Sequence, residues 1–104
     1  MPSAIESFEN AIAAGPPPDD LSPPLRALWF DARGDWDAAH KCVDELDRPG
    51  VDADAMWVHA YLHRKEGDAE NAGHWYRRAG RPVAAAGLDD EWRAIAAALL
   101  AKEA

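Results

Sequence analysis

Two glycine–aspartate pairs, Gly34-Asp35 and Gly67-Asp68, lie 33 residues apart and divide the middle of the chain into two segments of similar pattern. Glycine can adopt the left-handed conformation that closes a helix, and the aspartate after it can cap the next helix. Each pair therefore predicts a tight turn between two helices. Besides the glycine and the aspartate, the matched positions are Ala27 with Ala60, Ala39 with Ala72, Val43 with Tyr76 and Leu46 with Ala79.

Small residues stand where the two helices of each segment would meet, with Ala39 after the first turn and Ala72 after the second. Two helices joined by so short a turn pack closely only where the facing side chains are small. The sequence therefore predicts two helical hairpins within residues 22–82. Threonine is absent and alanine is abundant, so helix-favouring residues outnumber β-branched ones and we predict no strand.

In these features residues 20–82 resemble tetratricopeptide repeats, whose period is about 34 residues. The second hairpin carries the better match, which runs from Glu66 to Ala72 and continues through Tyr76, Ala79 and Pro82. The resemblance implies helix pairs that bury their faces against neighbouring elements and that bind other proteins on a concave surface.

Both ends of the chain carry an amphipathic helix, over residues 3–14 and 88–103, and a proline-rich linker over residues 15–21 precedes the hairpins. We predict one all-α domain over residues 1–104, in which the terminal helices cap the two hairpins. In the alternative, the apolar stripe of one terminal helix is the interface of a homodimer. The stripes are Ile5, Phe8 and Ile12 at one end and Trp92, Ile95 and Leu99 at the other.

Cap residues suggest where the helices begin and end. Ser22 has a side-chain oxygen that can cap a helix running to Arg33. The prolines after it stand at the start of that helix, where a missing N–H group does no harm. The apolar pattern extends the next helix through Leu46, before Pro49, and Asp89 or Asp90 is expected to cap the last helix.

The charge balance excludes several classes of partner. With 19 acidic and 11 basic residues the chain has a formal net charge of -8, which disfavours nucleic acid and anionic membranes. No apolar run approaches the ~18 residues that span a bilayer. Cys42 is the single cysteine and the amino terminus does not resemble a secretory signal, so we expect a soluble cytoplasmic protein.

Basic residues concentrate in one segment despite the acidic total. Residues 59–81 carry five basic and three acidic side chains, a local balance of 5 - 3 = +2. If the family resemblance holds, the second hairpin presents aromatic and basic side chains on its concave face, which suits a peptide or an acidic protein. The alternative is that the aromatic rings pack in the core and the arginines pair with nearby acids. The residues predicted to bind are Trp57, Tyr61, Arg64, Lys65 and Arg78.

Catalytic and metal-binding chemistry have little support in the sequence. His59 and His63 share one helical face, and His74 follows on the next helix, but no cysteine or acid accompanies them at a recognised ligand spacing. We interpret them as surface or packing residues and expect no metal, no cofactor and no enzymatic activity. A metal-binding protein or an enzyme that uses these histidines is the remaining alternative.

Overall fold

The computed structural model describes residues 2–103. These residues contain six α-helices and no strand. The predicted all-α class is confirmed. None of these helices combines the length and the hydropathy needed to cross a membrane. The helices are α1 (Ala4–Ala14), α2 (Pro23–Ala32), α3 (Trp36–Val43), α4 (Ala53–Lys65), α5 (Ala69–Ala79) and α6 (Leu88–Lys102).

The two glycine–aspartate turns have the same geometry. Gly34 has a φ of +83° and Gly67 a φ of +94°, which is the left-handed region that glycine enters without strain. The carboxylate of Asp35 accepts a 3.0 Å hydrogen bond from the Ala38 N–H, and Asp68 accepts one of 3.2 Å from Asn71. Each turn therefore closes one helix and caps the next, as the sequence pattern predicts.

The helices on either side of each turn pack closely, α2 on α3 and α4 on α5. The alanines predicted to lie between the paired helices are all buried, as close packing of two helices requires. Ala27, Ala39 and Ala60 are completely buried, and Ala72 is 2% exposed.

The two terminal helices contact each other and cover the core from the same side. Phe8 of α1 stacks on Trp92 of α6 with ring centroids 6.0 Å apart, and it meets Trp29 of α2 edge-on at 5.6 Å. Ile95 and Leu99 are also buried within the single chain. Apart from the half-buried Ile5, the terminal apolar stripes are therefore covered by the protein's own residues.

The proline-rich linker is held against α2. The indole N–H of Trp29 donates a 3.1 Å hydrogen bond to the Gly15 carbonyl, and Arg33 donates one of 2.6 Å to the Ile12 carbonyl. Arg26 donates to the carbonyls of Pro18 and Asp19. These bonds fix the path of the chain between α1 and α2.

Three helix ends differ from the sequence prediction. Helix α3 ends at Val43 rather than beyond Leu46, because several acidic residues follow and negative charge opposes the helix dipole at a carboxyl end. Gly87, not Asp89 or Asp90, is the N-cap of α6. Ser22 occupies the N-cap of α2, but its hydroxyl donates to Glu103 instead of capping the helix.

Candidate functional site

The structure divides the predicted binding surface into two parts. Tyr61 is only 2% exposed and lies in the core. Arg64 and Lys65 each form an ion pair with a buried carboxylate, at 2.7 Å to Glu91 and 2.9 Å to Asp31. These three side chains therefore hold helices together and do not form an open surface with Trp57.

Each of the two buried carboxylates also accepts a tyrosine hydroxyl. Tyr61 donates to Asp31 at 2.8 Å, which joins α4 to α2, and Tyr76 donates to Glu91, which joins α5 to α6. Burial, followed by the neighbouring carboxylate, raises the pKa of Tyr61 well above its usual value. Burial and the hydrogen bond to Glu91 do the same to the pKa of Tyr76.

Aromatic and basic side chains form two separate contacts on α4, α5 and the turn after α5. The guanidinium of Arg81 lies 3.8 Å from the centroid of the Trp57 ring, and that of Arg78 lies 5.7 Å from the Trp75 ring. Arg77, one residue before Arg78, is also exposed. We call these five residues, Trp57, Trp75, Arg77, Arg78 and Arg81, the aromatic–basic strip.

The arginines of the strip have no carboxylate partner. Within residues 2–103, no carboxylate oxygen lies within 4.0 Å of Arg77, Arg78 or Arg81, although acidic residues outnumber basic ones in the chain. Arg78 donates one hydrogen bond of 2.7 Å, to the backbone carbonyl of Asp47. Most of the N–H groups of these arginines thus stay open to a ligand.

A groove of about 770 Å³ lies on another side of the molecule, between α1, α2, α4 and α6. Trp92 is among its lining residues, and its three cations are engaged within the protein: Arg93 lies 3.1 Å from Glu9, Lys65 is bound to Asp31, and Arg33 donates to the Ile12 and Gly15 carbonyls. Because these cations already have partners, the groove offers less to an acidic ligand than the strip does.

Cys42 and two of the four histidines are partly or fully shielded from solvent. Burial raises the pKa of the Cys42 thiol, and its Sγ donates to the Ala38 carbonyl, so the thiol is held in its unreactive form. His59 and His63 are buried on α4, whereas His74 is exposed. Burial and the charges of the neighbouring histidines lower the pKa of His59 to about 4, so its ring is neutral at physiological pH.

Several residues of these sites were not identified from the sequence. Arg77 and Arg81 were counted in the basic segment but not singled out, and Trp75 was not considered. A signal was present, because Trp75 and Arg78 lie three residues apart and therefore on one helical face. No local signal could place Arg81 over Trp57, because that contact joins two separate elements of the fold.

Comparison with protein-family models, with curated proteins and with solved structures gives no match to this chain. A function therefore has to be inferred from the chemistry of its own residues.

Proposed function

We propose that the chain is a tetratricopeptide-like protein-interaction module that binds a short acidic segment of a partner protein on the aromatic–basic strip. The observation that carries this proposal is that Arg77, Arg78 and Arg81 are exposed and have no carboxylate partner within residues 2–103, in a chain of net charge -8. The two matched turns support a helical-hairpin scaffold of this kind.

The chemistry of the strip suits carboxylate ligands. A guanidinium that rests on an indole face is oriented and partly desolvated, while its edge still presents N–H donors for bidentate contact with a carboxylate. Arg81 on Trp57 and Arg78 on Trp75 both have this arrangement. Val83, which is 63% exposed two residues after Arg81, adds an apolar contact next to the cations.

A protein segment is a better candidate than nucleic acid. The basic strip is local, and the remainder of the chain carries a large excess of acidic groups that would repel an extended polyanion. A short acidic peptide needs only the three arginines, whereas an extended polyanion would also meet those acidic groups.

Titration with a synthetic peptide rich in aspartate and glutamate, followed by NMR of the five tryptophan indole N–H groups, tests the proposal. We expect the Trp57 and Trp75 signals to shift, while those of the buried Trp29 and Trp92 stay in place. Added salt should weaken the binding, because exposed charges are screened.

Matched arginine variants complete the test. Arg81→Ala and Arg78→Ala should each weaken the binding, whereas Arg93→Ala should not, because Arg93 is also exposed but lies on α6 and pairs with Glu9. Binding that is lost equally in all three variants, or a peptide that shifts no indole signal, would refute the strip as the binding surface. Tighter binding of a single-stranded oligonucleotide would assign the strip to nucleic acid instead.

A further inference from the structure

Three histidines from two helices meet on the side of α4 that faces α3. His40 of α3 and His59 of α4 have their Nε2 atoms 3.1 Å apart, and the ring of His63 lies 4.7 Å from His59 and 5.2 Å from His40, centroid to centroid. One nitrogen from each ring lies within 4.8 Å of one from each of the others. We call His40, His59 and His63 the histidine cluster.

The 3.1 Å separation of the His40 and His59 Nε2 atoms fits a shared metal ion. An ion bound about 2.1 Å from each nitrogen in a tetrahedral site holds two nitrogen ligands about 3.4 Å apart. The Nε2 atoms of His40 and His59 are close to that separation. A ring nitrogen of His63 lies within 4.8 Å of the other two, so the His63 ring would have to move toward them to complete the site.

Glu66 prepares His63 for coordination. Its carboxylate lies 2.6 Å from His63 Nδ1 and accepts a hydrogen bond from the N–H of that nitrogen. The lone pair of the neutral ring is then on Nε2, the other nitrogen. Histidines that bind metals commonly donate their second N–H to a carboxylate in this way, and that contact fixes the ring and strengthens it as a ligand.

One of the two buried ring nitrogens of His59 has no partner. The side chain is 2% exposed, and its Nδ1 has no hydrogen-bond partner among residues 2–103. The other nitrogen, Nε2, faces His40. Buried polar groups are normally paired, so contacts within the protein satisfy this histidine at one nitrogen only.

Two tryptophans enclose the cluster and leave one side open. Trp75 stacks on His59 with centroids 4.1 Å apart, and Trp36 stacks on His40 at 4.9 Å. The indole N–H of Trp36 is fixed by a 2.8 Å hydrogen bond to the Leu62 carbonyl. The side chain of His40 is 23% exposed, so an ion could enter from its side.

We propose that the histidine cluster binds one divalent transition-metal cation of the zinc class, with His40, His59 and His63 as ligands and water in the fourth position. Imidazole nitrogens select zinc, cobalt, nickel and copper over magnesium and calcium, which prefer oxygen. Three protein ligands leave one coordination position open. Because the ligands come from α3 and α4, the bound ion would also join the two hairpins.

This inference reverses the expectation of no metal that the sequence supports. The third ligand is His40, which lies 19 residues before His59 on the other hairpin, and not His74. A spacing of that length is not a recognised ligand pattern, so only the packing of α3 on α4 brings the three rings together.

A second group of possible ligands lies at the carboxyl end of α4 and consists of His63, Glu66 and Asp68. Both carboxylates in it already have structural partners, since Glu66 binds His63 and Asp68 caps α5. Both are also exposed, and exposed acidic groups bind metals weakly. The histidine cluster is therefore the stronger assignment, and Asp68→Asn, which keeps the cap, separates the two groups.

Titration of the full chain, freed of metals by chelation, with Zn²⁺ alone and with Co²⁺ alone tests the proposal. We expect calorimetry to give one Zn²⁺ per chain, and Co²⁺ to give the visible absorption of a tetrahedral site with nitrogen ligands. Zn²⁺ should also raise the melting temperature in proportion to the logarithm of its concentration, because it binds the folded state.

The variants assign the ligands. His40→Gln should weaken Zn²⁺ binding at least about tenfold, and Glu66→Gln by about 10- to 100-fold, as for other outer-sphere partners. The side chains of His40 and Glu66 are both partly exposed, so circular dichroism should show that both variants fold. His74→Gln and Asp68→Asn should bind as the parent protein does. Absence of Zn²⁺ binding, undiminished binding by His40→Gln, or a loss in Asp68→Asn equal to that in His40→Gln would overturn the proposal.

Discussion

The Tyr61 hydroxyl donates a 2.8 Å hydrogen bond to the carboxylate of Asp31, a buried acid 30 positions earlier in the chain. Lys65 contacts the other oxygen of the same carboxylate at 2.9 Å. Asp31 is 3% exposed, so its charge depends on these two neighbours for compensation. Together the three residues join α2 to α4 on the side away from the histidine cluster.

Lys65→Met should therefore destabilise the protein by about 2 kcal/mol, less than the ~3–5 kcal/mol for a fully buried pair, because Lys65 itself is 39% exposed. Lys41→Met is the matched control, because no carboxylate lies within 4.0 Å of this exposed lysine in residues 2–103. It should change stability by less than about 0.5 kcal/mol. Urea unfolding measures both, and equal effects would show that the Asp31 contact does not contribute.

The two tyrosines predict how the protein responds to alkali. Their pKa values are raised in the folded state, mainly by burial, whereas in the unfolded chain they lose protons near pH 10. The unfolded state therefore binds fewer protons than the folded state above that pH. The contribution of the tyrosines to the free energy of unfolding is complete below about pH 10 and is lost as the pH rises.

We accordingly expect tyrosinate absorbance to appear in the same transition in which helical circular dichroism is lost. Tyr61 and Tyr76 are the only tyrosines in the sequence, so the absorbance reports on them alone. Tyr61→Phe should reduce its amplitude by half. Tyrosinate that forms while the helical signal is intact would contradict the burial of both rings.

The turn between α4 and α5 depends on the backbone conformation of Gly67. A Cβ atom built on Gly67 or on Gly87 meets nothing within 4 Å, but Gly67 has a φ of +94° and Gly87 one of -64°. Gly67→Ala should thus cost about 1–2 kcal/mol from backbone strain alone, and Gly87→Ala much less. Thermal denaturation compares them, and equal losses would show that strain is not the cause.

The terminal helices predict the oligomeric state. Trp92 is buried, stacks on Phe8 and donates to the Leu28 carbonyl at 3.0 Å, all within one chain. We expect a monomer in analytical ultracentrifugation, and a loss of about 3–5 kcal/mol for Trp92→Ala. Leu99→Asp should unfold the protein, because Leu99 is a core residue. If the protein is a dimer and this variant is a folded monomer, the hypothesis that the terminal helices cap the hairpins is wrong.

Local patterns determined much of the fold. Gly34 and Gly67, each followed by an aspartate, specify turns that need only left-handed glycine and an adjacent cap, so they act within a few residues of the chain. The spacing of Phe8 and Ile12, like that of Trp92, Ile95 and Leu99, identified the buried faces of the terminal helices. These features are visible in sequence because their physics is local.

The candidate site was less predictable. Trp57 and Arg78, predicted to bind from the family resemblance and the basic segment, do lie in the aromatic–basic strip, but Tyr61, Arg64 and Lys65 are engaged inside the protein. Whether a cation on a helix is open to a ligand depends on which carboxylate the fold places beside it. Asp31 and Glu91 are each more than 25 positions from the cations they meet.

By itself, the sequence determined the helices, the turns between them and the faces they bury, because these follow from backbone preferences and from apolar spacing along one element. Only the tertiary structure decided the partners of the charged and titratable side chains. It paired Lys65 with Asp31, left Arg81 free on Trp57, and brought His40 beside His59. Such contacts join residues on different elements, and their distances are set by how the helices pack.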